Sequence, residues 1–186
     1  MSQANKNNFA WYLDILLMNC PNFETKRLIL REVMLEDRFD IFRNYSDPEV
    51  ANWFFDEPFT DLEQSIEIIQ EFIQKAEAGK GCTWAILLKE TGEFMGTCGY
   101  ENIAYGADGE IGFDLAKAHW GKGYMTEALR QIIAFGFDTF ALLEVNAHTY
   151  SHNLRARRVL EKLGFVVTTI TSDSHVYVLS RSAWME

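Results

Sequence analysis

Positive charge is scarce in this 186-residue chain. Lys and Arg number 17 against 27 Asp and Glu, which leaves a net charge of −10 and an isoelectric point near 4.9. Such a surface repels duplex phosphate and anionic lipid, so nucleic-acid and membrane-surface partners are not expected. Long apolar runs are also missing. The stretch from Phe9 to Met18 is broken by Asp14 and is too short to span a bilayer. It lacks the basic flank and small-residue cleavage site of a signal peptide. Cysteine is limited to Cys20, Cys82 and Cys98, an odd number without CxxC spacing. Neither a disulfide framework nor a zinc site is expected, and the three read as buried apolar residues in a reducing compartment. No His/Cys/Asp grouping has metal-ligand spacing, so no metal is implied. With three prolines, no linker, no low-complexity tract and no repeat, the chain reads as one continuous unit, soluble and cytoplasmic. A polar extension over 1–23 carries a short candidate helix, Phe9 to Asn19. It precedes a single domain over 24–186 in a chain long enough to bury about 70% of its unfolded surface.

What is present is a strong alternation of periodicities. Arg27 to Val33 alternates as a strand, and Leu35 to Tyr45 has helical spacing through Leu35, Phe39 and Phe42 until Ser46-Asp47-Pro48 stops it. Thr60 to Ala78 is a second helix with Leu62, Ile66, Ile69 and Ile73 on its apolar face. Thr60 and Glu63 form a capping-box signature, and Gly79 marks the stop. Cys82 to Lys89, Glu93 to Ile103 and Glu110 to Leu115 are strands separated by turn residues, hence antiparallel neighbours. A helix from Gly123 to Phe137, a strand from Leu143 to Tyr150, a helix from Leu154 to Leu163 and two strands, Phe165 to Thr171 and His175 to Ser180, complete the chain. A meander followed by a strand–helix–strand crossover predicts a mixed sheet and an α+β, or mixed α/β, class.

The densest chemical signal lies between Glu110 and Glu127. A strand ends at Leu115, and Gly121-Lys122-Gly123 then leads into a helix that begins Tyr124-Met125-Thr126. Glycines at such a turn let backbone approach a ligand, and the free N–H groups of the first helical turn form an anion site. The segment is not a Walker loop, because Gly123-Tyr124 follows the lysine. Nor is it a GxGxxG fingerprint, because no third Gly or Ala comes before Glu127.

The run Trp120-Gly121-Lys122-Gly123-Tyr124-Met125-Thr126-Glu127-Ala128-Leu129 resembles the acetyl-CoA pyrophosphate loop of the GNAT N-acetyltransferases, closest to the RimJ/RimL-like branch. Thr25 to Arg31, Glu110 to Leu115, and Asn153 with Val159 to Phe165 resemble that branch's first strand, pre-loop strand and last helix. The similarity runs in order over about residues 24–181. It implies the GNAT fold, a mixed and mostly antiparallel sheet of about seven strands flanked by helices. The strands at 110–115 and 143–150 should lie parallel and splay apart. It implies acetyl-CoA as cosubstrate and an amine acceptor attacking directly in a ternary complex. The pantetheine arm would pair with the backbone of Phe113, Asp114 and Leu115. Trp120 and the residues Gly121, Lys122, Gly123, Tyr124 and Met125 would hold the pyrophosphate, with the Thr126 hydroxyl near. Asn153 would bond the arm, cap the last helix, or do both. The resemblance also aligns Glu110 with a glutamate that serves as general base in some relatives; as a residue alone it reads equally as an exposed strand-end carboxylate. Ala156 and Leu160 occupy the positions where relatives carry a Ser or Tyr acid, leaving water, or no acid at all, to meet the leaving thiolate. A non-catalytic acyl-CoA-binding regulatory module is the alternative that Ala156 keeps open.

Residues 44–74 hold eight acids, among them Asp56 and Glu57, and no Lys or Arg. A cationic acceptor would be drawn to this stretch; a solvated helix face accounts for it equally. Trp53, Phe54, Phe55 and Phe59 in the same segment form either a buried lid or an aromatic wall for the acceptor. Lys122 with Arg155, Arg157 and Arg158 supplies the basic groups for the cofactor, and His148 and His152 are further candidates for proton transfer. The acceptor's identity, protein N-terminus or small amine, and a homodimer both stay open.

Overall fold

The computed structural model describes residues 20–186, and the candidate helix at Phe9 to Asn19 lies outside them. One eight-stranded mixed sheet has the order β1-β2-β3-β4-β5-β6-β8-β7. The strands are β1 Phe23–Glu24, β2 Leu28–Glu32, β3 Cys82–Leu88, β4 Phe94–Ile103, β5 Asp108–Leu115, β6 Glu144–Tyr150, β7 Val166–Ile170 and β8 Ser174–Ser180. The helices are α1 Arg38–Tyr45, α2 Pro48–Ala51, α3 Leu62–Glu77, α4 Tyr124–Thr139, α5 Leu154–Lys162 and α6 Arg181–Trp184, with single 3₁₀ turns at Leu35–Asp37 and Lys117–His119. The strand count is eight, not about seven, because the two-residue β1 pairs with β2 through Phe23 and Leu30.

Period-two alternation sorts the core onto two faces. Trp84 and Ile86 of β3 turn toward α4, whose Ala128, Leu129, Ile132, Ile133 and Phe137 are all buried. Ala85, between them, turns to the opposite face and packs with Ile41, Tyr45, Val50 and Ile69 of α1 to α3. The helix over 35–45 buries a different stripe from the one its spacing suggested. Leu35 and Phe39 are exposed, while Ile41, Asn44 and Tyr45 are buried. The first three residues form a 3₁₀ turn, which rotates the following face away from the Leu35–Phe39 register. Asp61, not Thr60, caps α3, accepting from the Glu63 N–H, and its capping-box partner is Gln64. Gly79 adopts φ +65° just past that helix and ends it as expected.

A second correction concerns the cysteines. Cys20 and Cys82, 62 residues apart, are joined as a disulfide with Cα atoms 5.7 Å apart. The segment before β1 lies along the sheet here, where the Trp84 indole also donates to the Pro21 carbonyl. Sequence spacing carries no trace of that approach. Cys98 is free and buried, and burial pushes its thiol well up.

Tight packing between β4 and α4 rests on Gly136. A methyl group built there would overlap the fully buried Tyr100 ring and hydroxyl, and that hydroxyl donates to the Ile132 carbonyl. Gly136→Ala should therefore lower stability by about 2 kcal/mol despite a helix-propensity gain of about 1 kcal/mol. A lower urea midpoint with an unchanged slope is the expected result.

Candidate active site

The sheet opens at its centre. β5 and β6 pair in parallel only through Asp108–Glu144, Gly109–Val145 and Glu110–Asn146. Beyond that point β5 stays paired to β4 as far as Leu115 and β6 keeps four more pairs to β8, Ala147 to Tyr150, so the two halves diverge. The Ala116 N–H turns back to Met95 of β4, which sends the Leu115 carbonyl of the same peptide away from β4. By alternation the Phe113 carbonyl is aimed into the gap as well. The Leu115 carbonyl accepts from the Trp120 indole N–H at 2.6 Å, which leaves it one lone pair.

Two cavities meet at the splay. The larger, about 400 Å³, runs between the end of β5, the Gly121–Gly123 loop and α5. It brings together Phe113, Asp114, Leu115, Trp120, Gly121, Gly123, Tyr124, Met125, Thr126 and Asn153 of the residues expected to hold a cofactor. Lys122 is not among them. Its side chain is exposed, and its backbone carbonyl accepts from Arg27 Nη1 at 3.0 Å. Gly121 and Gly123 adopt φ +74° and +81°, the left-handed region that favours glycine. Among the described residues, no N–H from Gly121 to Thr126 has a protein acceptor. Six N–H donors at the start of a helix are thus left free beside the cleft. Arg155, Arg158 and Lys162 add positive charge to its wall, and the Arg155 guanidinium lies 4.4 Å from the Trp120 ring centroid. Arg157 does not join them. Its guanidinium donates to the Tyr177 hydroxyl and the Ser151 carbonyl, which makes it a structural tie under α5.

The smaller cavity, about 280 Å³, lies on the other side of the splay and contains Glu110, Glu101 and His148. The Glu110 carboxylate is 3.9 Å from His148 Nε2 and accepts from the Asn102 amide at 3.3 Å. Glu101 is the residue that reading the sequence missed. It reaches across β5 because Gly112 has no side chain; a Cβ there would collide with the Glu101 carboxylate. Burial and the neighbouring Glu110 push the Glu101 carboxyl above its ordinary value, against the pull of Lys75 and His148. Neither cavity is lined by Asp56 or Glu57, so the acidity of the inner space comes from β4 and β5 rather than from the loop. Trp53, Phe54, Phe113, Asn153 and Ala156 line both cavities. Asn153 Oδ1 caps α5 through the Ala156 N–H at 3.1 Å, while its Nδ2 is unengaged among the described residues.

Asp114 has a role its sequence position does not reveal. Its buried carboxylate accepts from Asn44, from the Tyr45 hydroxyl at 3.0 Å, and from the Thr97 hydroxyl and N–H. The arrangement fastens α1 beneath the open edge of β5. Burial raises its carboxyl to about 6, outweighing the bonds from Thr97, Tyr45 and Asn44 that pull it down. Glu127 is the second hidden anchor. It accepts from the Thr25 hydroxyl at 2.7 Å, the Arg27 N–H at 2.8 Å and Arg27 Nε at 2.7 Å. Arg27 in turn stacks 4.3 Å from the Tyr124 ring centroid. One carboxylate therefore fixes the glycine loop to the start of β2. No group of three or more His, Cys, Asp or Glu among the described residues could hold a metal ion, and no described helix is long and apolar enough to cross a membrane.

A sheet parted beside a glycine turn rich in free N–H donors defines the acyl-transferring class of this fold. Residues 27–166 match the acetyltransferase (GNAT) domain, and the chain belongs to that family. It is 37% identical over 142 residues to the uncharacterized N-acetyltransferase p20 of Bacillus licheniformis, covering 76% of this chain and 80% of p20. It is 32% identical over 146 residues to the uncharacterized N-acetyltransferase YoaA of Bacillus subtilis, covering 78% and 82%. Among solved structures, a GNAT acetyltransferase from Bacillus anthracis superposes with a TM-score of 0.77 at 20% identity, covering 87% of this chain and 99% of that one. RimL, a ribosomal L7/L12 α-N-protein acetyltransferase in complex with coenzyme A, superposes with a TM-score of 0.79 at 16% identity, covering 88% and 99%. The chain is thus an acyltransferase that moves acetyl groups, which decides against the non-catalytic module.

The Glu127 clamp yields a test. Burial alone would raise its carboxyl, but the bonds from Thr25 and Arg27 hold it below the ordinary value. A lowered carboxyl contributes stability in full above its unfolded value of about 4.3 and loses it as pH falls through the folded value. Glu127→Gln should cost about 1 kcal/mol at neutral pH, because half-exposed Arg27 screens much of the attraction. The deficit relative to the wild type should shrink below about pH 4, as read by urea unfolding at a series of pH values.

Proposed function

We propose that the protein is an acetyl-CoA-dependent N-acetyltransferase acting on a primary amine by direct attack in a ternary complex. The observation that carries the reading is the segregation of charge across the splay, with Arg155, Arg158, Lys162 and six N–H donors on one side and Glu101 and Glu110 on the other. The larger cavity suits a pyrophosphate at Gly121 to Thr126, with the pantetheine arm running along the Phe113 backbone toward Asn153 Nδ2. The arm replaces part of the missing ladder, as an added strand would. Its thioester then lies where the cavities meet.

The amine enters through the acidic cavity. A primary amine is protonated at neutral pH, and Glu110, directly or through a water, takes the proton that must leave before the nitrogen can attack. The N–C bond forms, the tetrahedral intermediate collapses, and the C–S bond breaks to release CoA thiolate. The nitrogen sheds its second proton as the intermediate collapses, and since Ala156 offers none, the thiolate leaves unprotonated and takes up the equivalent proton in solvent after release. Glu101 and Glu110 favour an acceptor that arrives as a cation, whether a protein N-terminus or a small amine. RimL is named for the first kind of acceptor, which keeps a protein N-terminus within this reading.

Two measurements check these roles. Acetyl-CoA should raise the melting temperature, because it binds the folded state only. Gly121→Asp should abolish the rise, whereas Gly121→Asn should keep most of it. A Cβ at Gly121 meets nothing within 4 Å, and both side chains tolerate its left-handed φ, so the two variants differ mainly in charge. No shift for the wild type at millimolar acetyl-CoA would refute the donor assignment. Separately, Glu110→Gln should lower kcat by about 10²-fold while leaving acetyl-CoA binding nearly unchanged. A rate that survives this substitution would remove Glu110 from the proton path.

A further inference from the structure

Trp53 lines three cavities. They are the 400 Å³ cleft, the 280 Å³ acidic cavity and a third of about 250 Å³ between α2 and the turn after β6. It stands where the first two meet. α2 holds it from one side. Asp47 caps that helix through the Glu49 N–H, Val50 and Ala51 are buried, and the Trp53 N–H bonds the Val50 carbonyl at 3.3 Å. Lys117, on the turn after β5, pairs with Glu49 of α2 at the surface.

From the other side comes the β6–α5 turn. It is fixed by Ser151 N–H to Asp173, Asn153 N–H to Tyr150, and Arg157 to the Ser151 carbonyl. Across the opening, the Trp53 ring centroid is 5.2 Å from His152 and 6.4 Å from Tyr150, and those two rings are 5.7 Å apart. Two segments about 100 residues apart in sequence thus touch through three rings above the splay. Phe54, the next residue, stays exposed and sets its ring against Tyr45 and Phe55 instead.

We infer that Trp53, with Tyr150 and His152, forms an aromatic roof that keeps water from the thioester, so that acetyl passes to the amine and not to solvent. This rests on the proposed donor and acceptor placement. The suppressed side reaction is hydrolysis. Water oxygen bonds the acetyl carbon, the C–S bond breaks, one proton goes to the CoA sulfur, and acetate leaves with the other. A thioester is open to this attack wherever water reaches its carbonyl face, and closed sites suppress such leakage by excluding water. Trp53 is in this account a positioning residue. It neither takes nor gives a proton.

The readout is the ratio of free thiol to acetylated amine, followed with one amine that the wild type acetylates. The wild type should release one thiol per amide formed. Trp53→Ala should release at least about twice as much thiol as amide, with matching acetate and with the acetyl-CoA melting shift retained. Trp53→Phe should restore most of the coupling. Tyr150→Ala, at a half-exposed site on the opposite wall, should uncouple in the same direction, which guards against a folding defect peculiar to Trp53. If both alanine variants lose rate but keep one thiol per amide, the roof is refuted and the proposed function stands. If the wild type releases no thiol with any amine, the proposed function itself fails and takes the roof with it.

Discussion

Everything distinctive in this molecule depends on the parting of β5 from β6 after the Glu110–Asn146 pair. A continuous sheet would satisfy its backbone internally. Here the edge of β5 from Ile111 onward is turned toward an opening, and a buried peptide group without a partner is costly. The fold handles part of that demand itself, since the Trp120 indole takes the Leu115 carbonyl. The Phe113 edge is left open. The halves cannot close up, because each strand is committed to a different neighbour: β5 to β4 along its length, and β6 to β8 through seven pairs.

Two carboxylates that do no chemistry keep this opening in shape. Asp114 gathers Asn44, Tyr45 and Thr97 under the floor, joining the helical side of the sheet to the splayed strand. Glu127 gathers Thr25 and Arg27, and Arg27 reaches the Lys122 carbonyl, so the glycine turn is held from its side-chain-free face by a strand far away in sequence. Donor N–H groups fixed in advance lose little entropy on meeting a phosphate, and a loop that bends at Gly121 and Gly123 would lose much of that advantage unclamped.

The electrostatic layout is economical for a protein with ten excess negative charges. Its cleft-side cations are concentrated on α5, while the acids of the smaller cavity lie on β4 and β5. Three of the eight acids of the 44–74 stretch are spent otherwise: Asp47 and Asp61 cap helices, and Glu49 pairs with Lys117. Position in the sheet, not local abundance, determines which carboxylates a substrate would meet.

The chain by itself carried the order of elements, because periodicity and turn residues are local. The strands over 82–115, the helix opened by Gly123 and the final helix and strand pair fall within a few residues of where spacing put them. It carried the family as well, because the Trp120 to Leu129 run and its three companions are contiguous motifs, and a contiguous motif needs no folding to be recognised. Whatever depends on approach between distant segments was illegible. The Cys20–Cys82 bond and the inward turn of Ile41 were decided by packing. So were the site's finer features. Arg157 looked like a cofactor cation until Tyr177 was seen to hold it. Glu101 drew no notice in the sequence, and only the bare backbone of Gly112 lets it into the cavity. Sequence fixes the chemical groups and their local conformation, since those depend on neighbours a few bonds away. Which groups face one another across the sheet is set by the competition for burial and hydrogen bonds in the folded state, and only the tertiary structure resolves it.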